Sequence, residues 1–186
     1  MALRQLSKEL LPHFKEGQQN VLNLLSTDAA NGKSFLAQEL ENYWVSIGLQ
    51  VRRLTYDEDF LAEDSRYIMA KDIKDLCPDI MPNEIAIVEY PNLDDNSISP
   101  ALLNIGTVNL MVTRANRTWK DVDQKALKEL QEHLENKNTL YMYLTEASRY
   151  AVEEFVGQLP PYTRFNNFVY RMSQLGLTAV ENNHAK

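Results

Sequence analysis

Residues 21–40, VLNLLSTDAANGKSFLAQEL, constrain the fold more than any other stretch of this chain. Val21 to Leu25 read as a buried strand, and after a short polar loop Phe35, Leu36 and Leu40 recur at helical spacing. The loop ends in Asn31-Gly32-Lys33-Ser34, at the mouth of the helix that Phe35 enters. Strand, loop, Gly-Lys-Ser and helix is the setting in which backbone N–H groups and a helix N-terminus wrap phosphate oxygens. There a lysine sets its charge on the outer phosphates and the next hydroxyl serves Mg2+. Lys33 and Ser34 are the residues for those tasks. The full pattern, G-x-x-x-x-G-K-[ST], begins with glycine where this chain has Thr27.

The rest of the chain continues the alternation. Further strands are expected over 49–56, 85–88, 108–112 and 140–144. Helices are expected over 3–16, 33–47, 61–75, 100–104, 119–134, 146–157 and 164–175, with Gly48 closing the second. Strands separated by helices favour an α/β fold, a mostly parallel, doubly wound sheet with helices on both faces. Length supports one domain, residues 1–186, with a C-terminal helical extension at about 160–178 after Pro160-Pro161. Phe165, Phe168, Val169, Met172 and Leu175 share one face of that extension.

Right-handed crossovers bring the C-terminal ends of all such strands to one edge of the sheet. Lys33 and Ser34 are therefore expected beside Asp57 and Asp59, which end the second strand, and Glu89, which ends the third. Mg2+ takes one or two carboxylates, a hydroxyl and phosphate oxygens. Ser34, Asp57 and Glu89 form such a donor set, and Lys33, Asp57, Asp59 and Glu89 are the candidate catalytic group.

Composition removes other classes. A net charge of −7 opposes a primary role on nucleic acid or directly on an anionic membrane. Cys77 is the single cysteine, which excludes an internal disulfide and fits a reducing compartment. His13, His133 and His184 are scattered and make no zinc pattern with it. No run approaches the roughly 20 apolar residues of a bilayer span, so direct membrane insertion of this chain is not expected.

The motifs resemble, in order, those of the cytoplasmic P-loop domain of bacterial tyrosine kinases, relatives of the MinD/ParA ATPases. Gly32-Lys33-Ser34 matches the end of the family's phosphate loop, and Leu54 to Asp59 is similar to its second motif, an apolar strand followed by D-x-D-x-R. IAIVEYP at 85–91 is similar to its apolar run followed by D-x-x-P. Arg114, Ala115, Asn116 and Thr118 match its V-R-A-x-x-T, and the similarity spans roughly residues 3–158. The resemblance implies a P-loop NTPase-like, three-layer fold that binds ATP or ADP with Mg2+ through Asn31, Gly32, Lys33, Ser34, Phe35 and Arg114. It also implies capsular, exopolysaccharide or lipopolysaccharide synthesis or chain-length control at the inner face of the membrane. The partner would be a membrane polysaccharide co-polymerase, as subunit or as upstream segment, and homo-oligomers are part of the family pattern.

Departures fall on the working positions. Ala30 stands at a family glycine and Asp28 at the MinD/ParA lysine; Leu61 replaces an arginine and Glu89 an aspartate. Phosphoryl transfer depends almost wholly on positioning and charge, so these changes point to weak or lost tyrosine autokinase activity with residual nucleotide binding. The tail lacks the family's terminal tyrosine cluster; Tyr162 and Tyr170 lie upstream, and of the family's N-terminal E-x-x-R-x-x-R only Arg4 corresponds. An active MinD/ParA-type ATPase and a nucleotide-free interaction module remain the alternative readings.

Overall fold

Five parallel strands in the order β2-β3-β1-β4-β5 form the sheet. In the computed structural model, which describes residues 2–61, 63–93, 98–135 and 139–147, the strands are β1 (Asn20–Leu25), β2 (Val51–Thr55), β3 (Ile85–Glu89), β4 (Val108–Arg114) and β5 (Leu140–Thr145). The helices are α1 (Ala2–Leu10), α2 (Lys33–Ser46), α3 (Ser65–Met69), α4 (Ile73–Leu76), α5 (Pro100–Asn104) and α6 (Asp121–His133). The helices expected beyond residue 147, the extension at 160–178, Tyr162 and Tyr170 lie outside the described residues.

Two expected helices are shorter than their apolar patterns. α1 stops at Leu10 and passes into a 3-10 turn, Leu11–His13, because Pro12 has no N–H to continue an α-helix. The segment over 61–75 divides into α3 and α4 because Asp72 starts a new helix. Its carboxylate accepts from Lys74 N–H while Asp75 accepts from Asp72 N–H, a reciprocal cap. α2 ends as expected: Gly48, at φ 90°, donates to Val45 O while Leu49 N–H reaches back to Trp44 O.

β1 is buried along its whole length, and alternate side chains feed two cores. Leu22 and Leu24 pack with Leu36, Ala37, Leu40 and Trp44 of α2. Trp44 Nε1 donates to Ser7 Oγ at 2.9 Å, and Phe14 meets the Trp44 ring edge-on, so α1 and its extension cover α2. Val21 and Leu25 face the opposite side, with Ile73 of α4, Leu102 and Leu103 of α5, and Leu130 of α6. Helices on both faces make the three layers that the alternation predicts.

One polar pair lies inside the second core. Asn23 and Asn109 are register partners on β1 and β4, and Asn23 Nδ2 donates to Asn109 Oδ1 at 2.8 Å and to Leu102 O at 3.0 Å. Asn109 Nδ2 donates to Leu103 O at 3.2 Å. The pair thus satisfies the last carbonyls of α5, which a helix end leaves without intrahelical donors. Gly106 lets the chain pass: a Cβ there would meet Asn23 Nδ2 at 2.4 Å and Asn109 Oδ1 at 2.9 Å. Gly106→Ala is expected to cost about 1–3 kcal/mol in urea unfolding, the usual range for overpacking a filled interior.

Candidate phosphate-binding site

β1 delivers the loop 26–32 to the C-terminal edge of the sheet, where it turns into α2. Gly32 (φ 82°) and Ala30 (φ 59°) both take the left-handed conformation. Ala30 therefore holds, with a Cβ, a conformation that glycine adopts without steric cost. The first bond of α2, from Leu36 N–H to Gly32 O at 2.9 Å, aims the helix N-terminus at the loop. Thr145, the last residue of β5, braces the loop from behind: its hydroxyl donates to Asn31 O at 2.9 Å. A cavity of about 430 Å³ opens in front.

Most residues that sequence reasoning assembles do meet there. Asn31, Gly32, Lys33, Ser34, Phe35, Asp57 and Glu89 all line the cavity. Phe35 is 71% exposed, an apolar flank at the mouth. Asp59 is not among the lining residues; its carboxylate accepts from Thr55 N–H at 2.7 Å and so closes the turn after β2. Arg114, at the end of β4, does not line it either.

Charge in the cavity is largely paired within the protein. Lys33 Nζ donates to Tyr90 O. Burial pushes the Lys33 ammonium down to about 8, an effect that the negative charge of Glu89 partly offsets. Glu89 is itself 2% exposed, and Arg53 Nη1 donates to its Oε1 at 3.2 Å. Arg53 is held in turn by Glu41 at 3.0 Å and by Thr55 Oγ1 at 3.2 Å. Glu89 thus reaches the place foreseen for a metal ligand with one oxygen committed to a guanidinium. Among the described residues no group of three His, Cys, Asp or Glu side chains could hold a metal ion.

Two site residues escape sequence reasoning. Arg117 crosses from the loop after β4 to Thr27 and Asp123, and Asn92 lies against the phosphate loop after β3. The Asn92 orientation that satisfies both ends of its amide places nitrogen 3.2 Å from Asp28 O and from Ser26 Oγ, with oxygen accepting from Ala29 N–H at 3.2 Å. Asn92 follows directly on the EYP motif, which was the available signal. Arg117 carried none, because its partners are 90 and 6 positions away.

No protein family and no curated protein matches the sequence. Among solved structures, the kinase domain of Escherichia coli tyrosine kinase ETK is similar at a TM-score of 0.53 and 12% identity. The match covers 87% of this chain and 79% of that one. At that identity the likeness establishes the fold alone, a parallel α/β sheet with helices on both faces. No helix among the described residues is long and apolar enough to cross a membrane.

Two outcomes follow from the loop. Ala30→Gly should stabilise the protein by about 1 kcal/mol in urea unfolding, by removing a Cβ from a left-handed conformation. An anion in the cavity needs Lys33 protonated, so calorimetric affinity for ADP should fall as pH rises above about 8. Lys33→Met should flatten that dependence.

Proposed function

We propose that this domain holds a nucleoside phosphate at the 26–34 loop and does not transfer its phosphoryl group. The observation that carries the reading is the meeting of Lys33, the N-terminus of a 14-residue helix and a left-handed Gly32 at one cavity. That arrangement offers N–H groups, a helix dipole and one cation to phosphate oxygens. Support for a kinase-like ancestry comes from the fold and from the order of the motifs.

Lost transfer is supported by the charges. Arg53 holds one oxygen of Glu89 and so restricts how that carboxylate can turn toward a metal, while Mg2+ tolerates little error in geometry. Mg2+ would have the second oxygen of Glu89, Asp57 and Ser34 as its donors beside a phosphate, and no step is assigned to a metal there. Asp57 and Ser34 line the cavity and would be polar neighbours of a phosphate there. The biological setting we propose is control of capsular, exopolysaccharide or lipopolysaccharide synthesis beside the inner face of the membrane. There the domain would act through a membrane polysaccharide co-polymerase partner and through copies of itself.

A second reading, a nucleotide-free interaction module, draws on the internal bonds of Lys33 to Tyr90 O and of Asn92 to the loop. Calorimetry separates the two. The first reading expects ADP and ATP to bind, Lys33→Ala to weaken binding by about tenfold or more, the loss of one charged contact, and radiolabelled ATP to leave no phosphotyrosine. Absence of binding at millimolar nucleotide would favour the module. ATP-dependent autophosphorylation abolished by Lys33→Ala would restore the active kinase.

A further inference from the structure

Thr27 sits where a phosphate-binding loop ordinarily has its first glycine, yet it does not line the cavity although its neighbours Ser26 and Asp28 both do. It is 2% exposed, and its hydroxyl accepts from Arg117 Nη1 at 3.0 Å. Arg117 Nη2 meanwhile spans both oxygens of Asp123, at 2.8 and 3.0 Å. Asp123 is fully buried in the first turn of α6 and also accepts from Lys120 N–H at 2.8 Å. Burial raises the Asp123 carboxyl, but bonds from Thr27 and Lys120 and the Arg117 charge outweigh it and hold the group below the usual carboxylate range. The same guanidinium lies 3.7 Å from Asp28, the acidic residue of the phosphate loop.

We propose that Arg117, held by Asp123, is a positioning residue that draws the Thr27 side chain outward and so keeps the phosphate cradle open in a loop without its first glycine. The inference rests on the nucleotide-binding reading above. A threonine carries two heavy atoms on Cβ with few rotamers, and turned inward they would stand where phosphate approaches the backbone. Anchoring the hydroxyl on the far side removes that obstacle. The anchor also sets a cation beside Asp28, which would otherwise repel the ligand. Arginine suits the task because its separate nitrogens serve different partners at once: Nη2 holds both oxygens of Asp123, Nη1 donates to the Thr27 hydroxyl and Nε faces Asp28. Lysine presents a point charge and cannot hold that geometry.

A plain structural cap on α6 would not care which residue occupies position 27. Calorimetric ADP affinity of the full chain therefore decides the matter through Arg117→Ala, Thr27→Gly and the double variant. Arg117→Ala is expected to weaken binding by about tenfold, with Arg117→Lys recovering little. In the Thr27→Gly background, which has no side chain to withdraw, the same change is expected to cost less than about threefold. Equal factors in both backgrounds, or no loss in either, would overturn the proposal.

Amide hydrogen exchange of the ligand-free chain gives a second readout. Arg117→Ala should speed exchange at residues 26–33 relative to β1 in the parent, and add nothing in the Thr27→Gly background. Exchange that rises equally in both backgrounds, or in neither, overturns the proposal without reference to nucleotide. A parent chain that takes up no ADP would refute the nucleotide-binding reading, while exchange would still decide whether Arg117 positions the loop.

Discussion

β1 has neither an open edge nor a solvent face, and the site depends on that confinement. β3 pairs with it on one side and β4 on the other, both parallel. Its side chains enter the cores alternately, with Leu22 and Leu24 toward α2 and Val21 and Leu25 toward α4, α5 and α6. A strand fixed on four sides has one direction left for its continuation, outward at the C-terminal edge of the sheet. The phosphate loop emerges there, between Glu89 at the end of β3 and Thr145 at the end of β5, and both touch the site. Polar Asn23 lies inside this confinement only because Asn109, Leu102 O and the missing side chain of Gly106 accommodate it.

Ion pairs then govern what the loop can hold. Arg53 joins Glu41 to Glu89, and Arg117 joins Asp123 to Asp28. Each arginine is shared between a carboxylate at the cavity and one outside it, and Lys33 is the cation that lines the cavity itself. Lys33 donates to the carbonyl of Tyr90, and its burial lowers the ammonium to about 8, so its charge depends on pH in that range. The departures from the kinase pattern thus form a consistent set: Glu89 is longer than aspartate and reaches Arg53, while Thr27 and Asp28 have Arg117 as their common partner.

Much of this was legible beforehand, and the reason is local. Apolar runs such as Ile85 to Val88 declare a strand buried on both faces, and Gly32-Lys33-Ser34 declares a loop entering a helix; neither statement needs a distant residue. Gly48 closes α2 by the same local chemistry. The reading was coarser where local signals compete. An apolar pattern over 61–75 overrode the reciprocal cap at Asp72, and Pro12 cut short a helix that the leucine spacing carried to residue 16. Asp59 looked like a partner of Asp57 because they lie two residues apart, but Asp57 takes a left-handed conformation (φ 71°) and Asp59 turns back to Thr55 N–H.

The sequence by itself determined the α/β architecture, the place of the phosphate loop and the arrival of Asp57 and Glu89 at one sheet edge. Periodicity, turn chemistry and crossover handedness are enough for that, because each acts over a few residues or follows from chirality. Only the tertiary structure decided which charges face the cavity and which are paired away from it. Arg53 finds Glu89 by lying on the neighbouring strand, and Arg117 finds Thr27 across 90 residues. Such pairings depend on register and on the packing of α6, which no window of sequence contains.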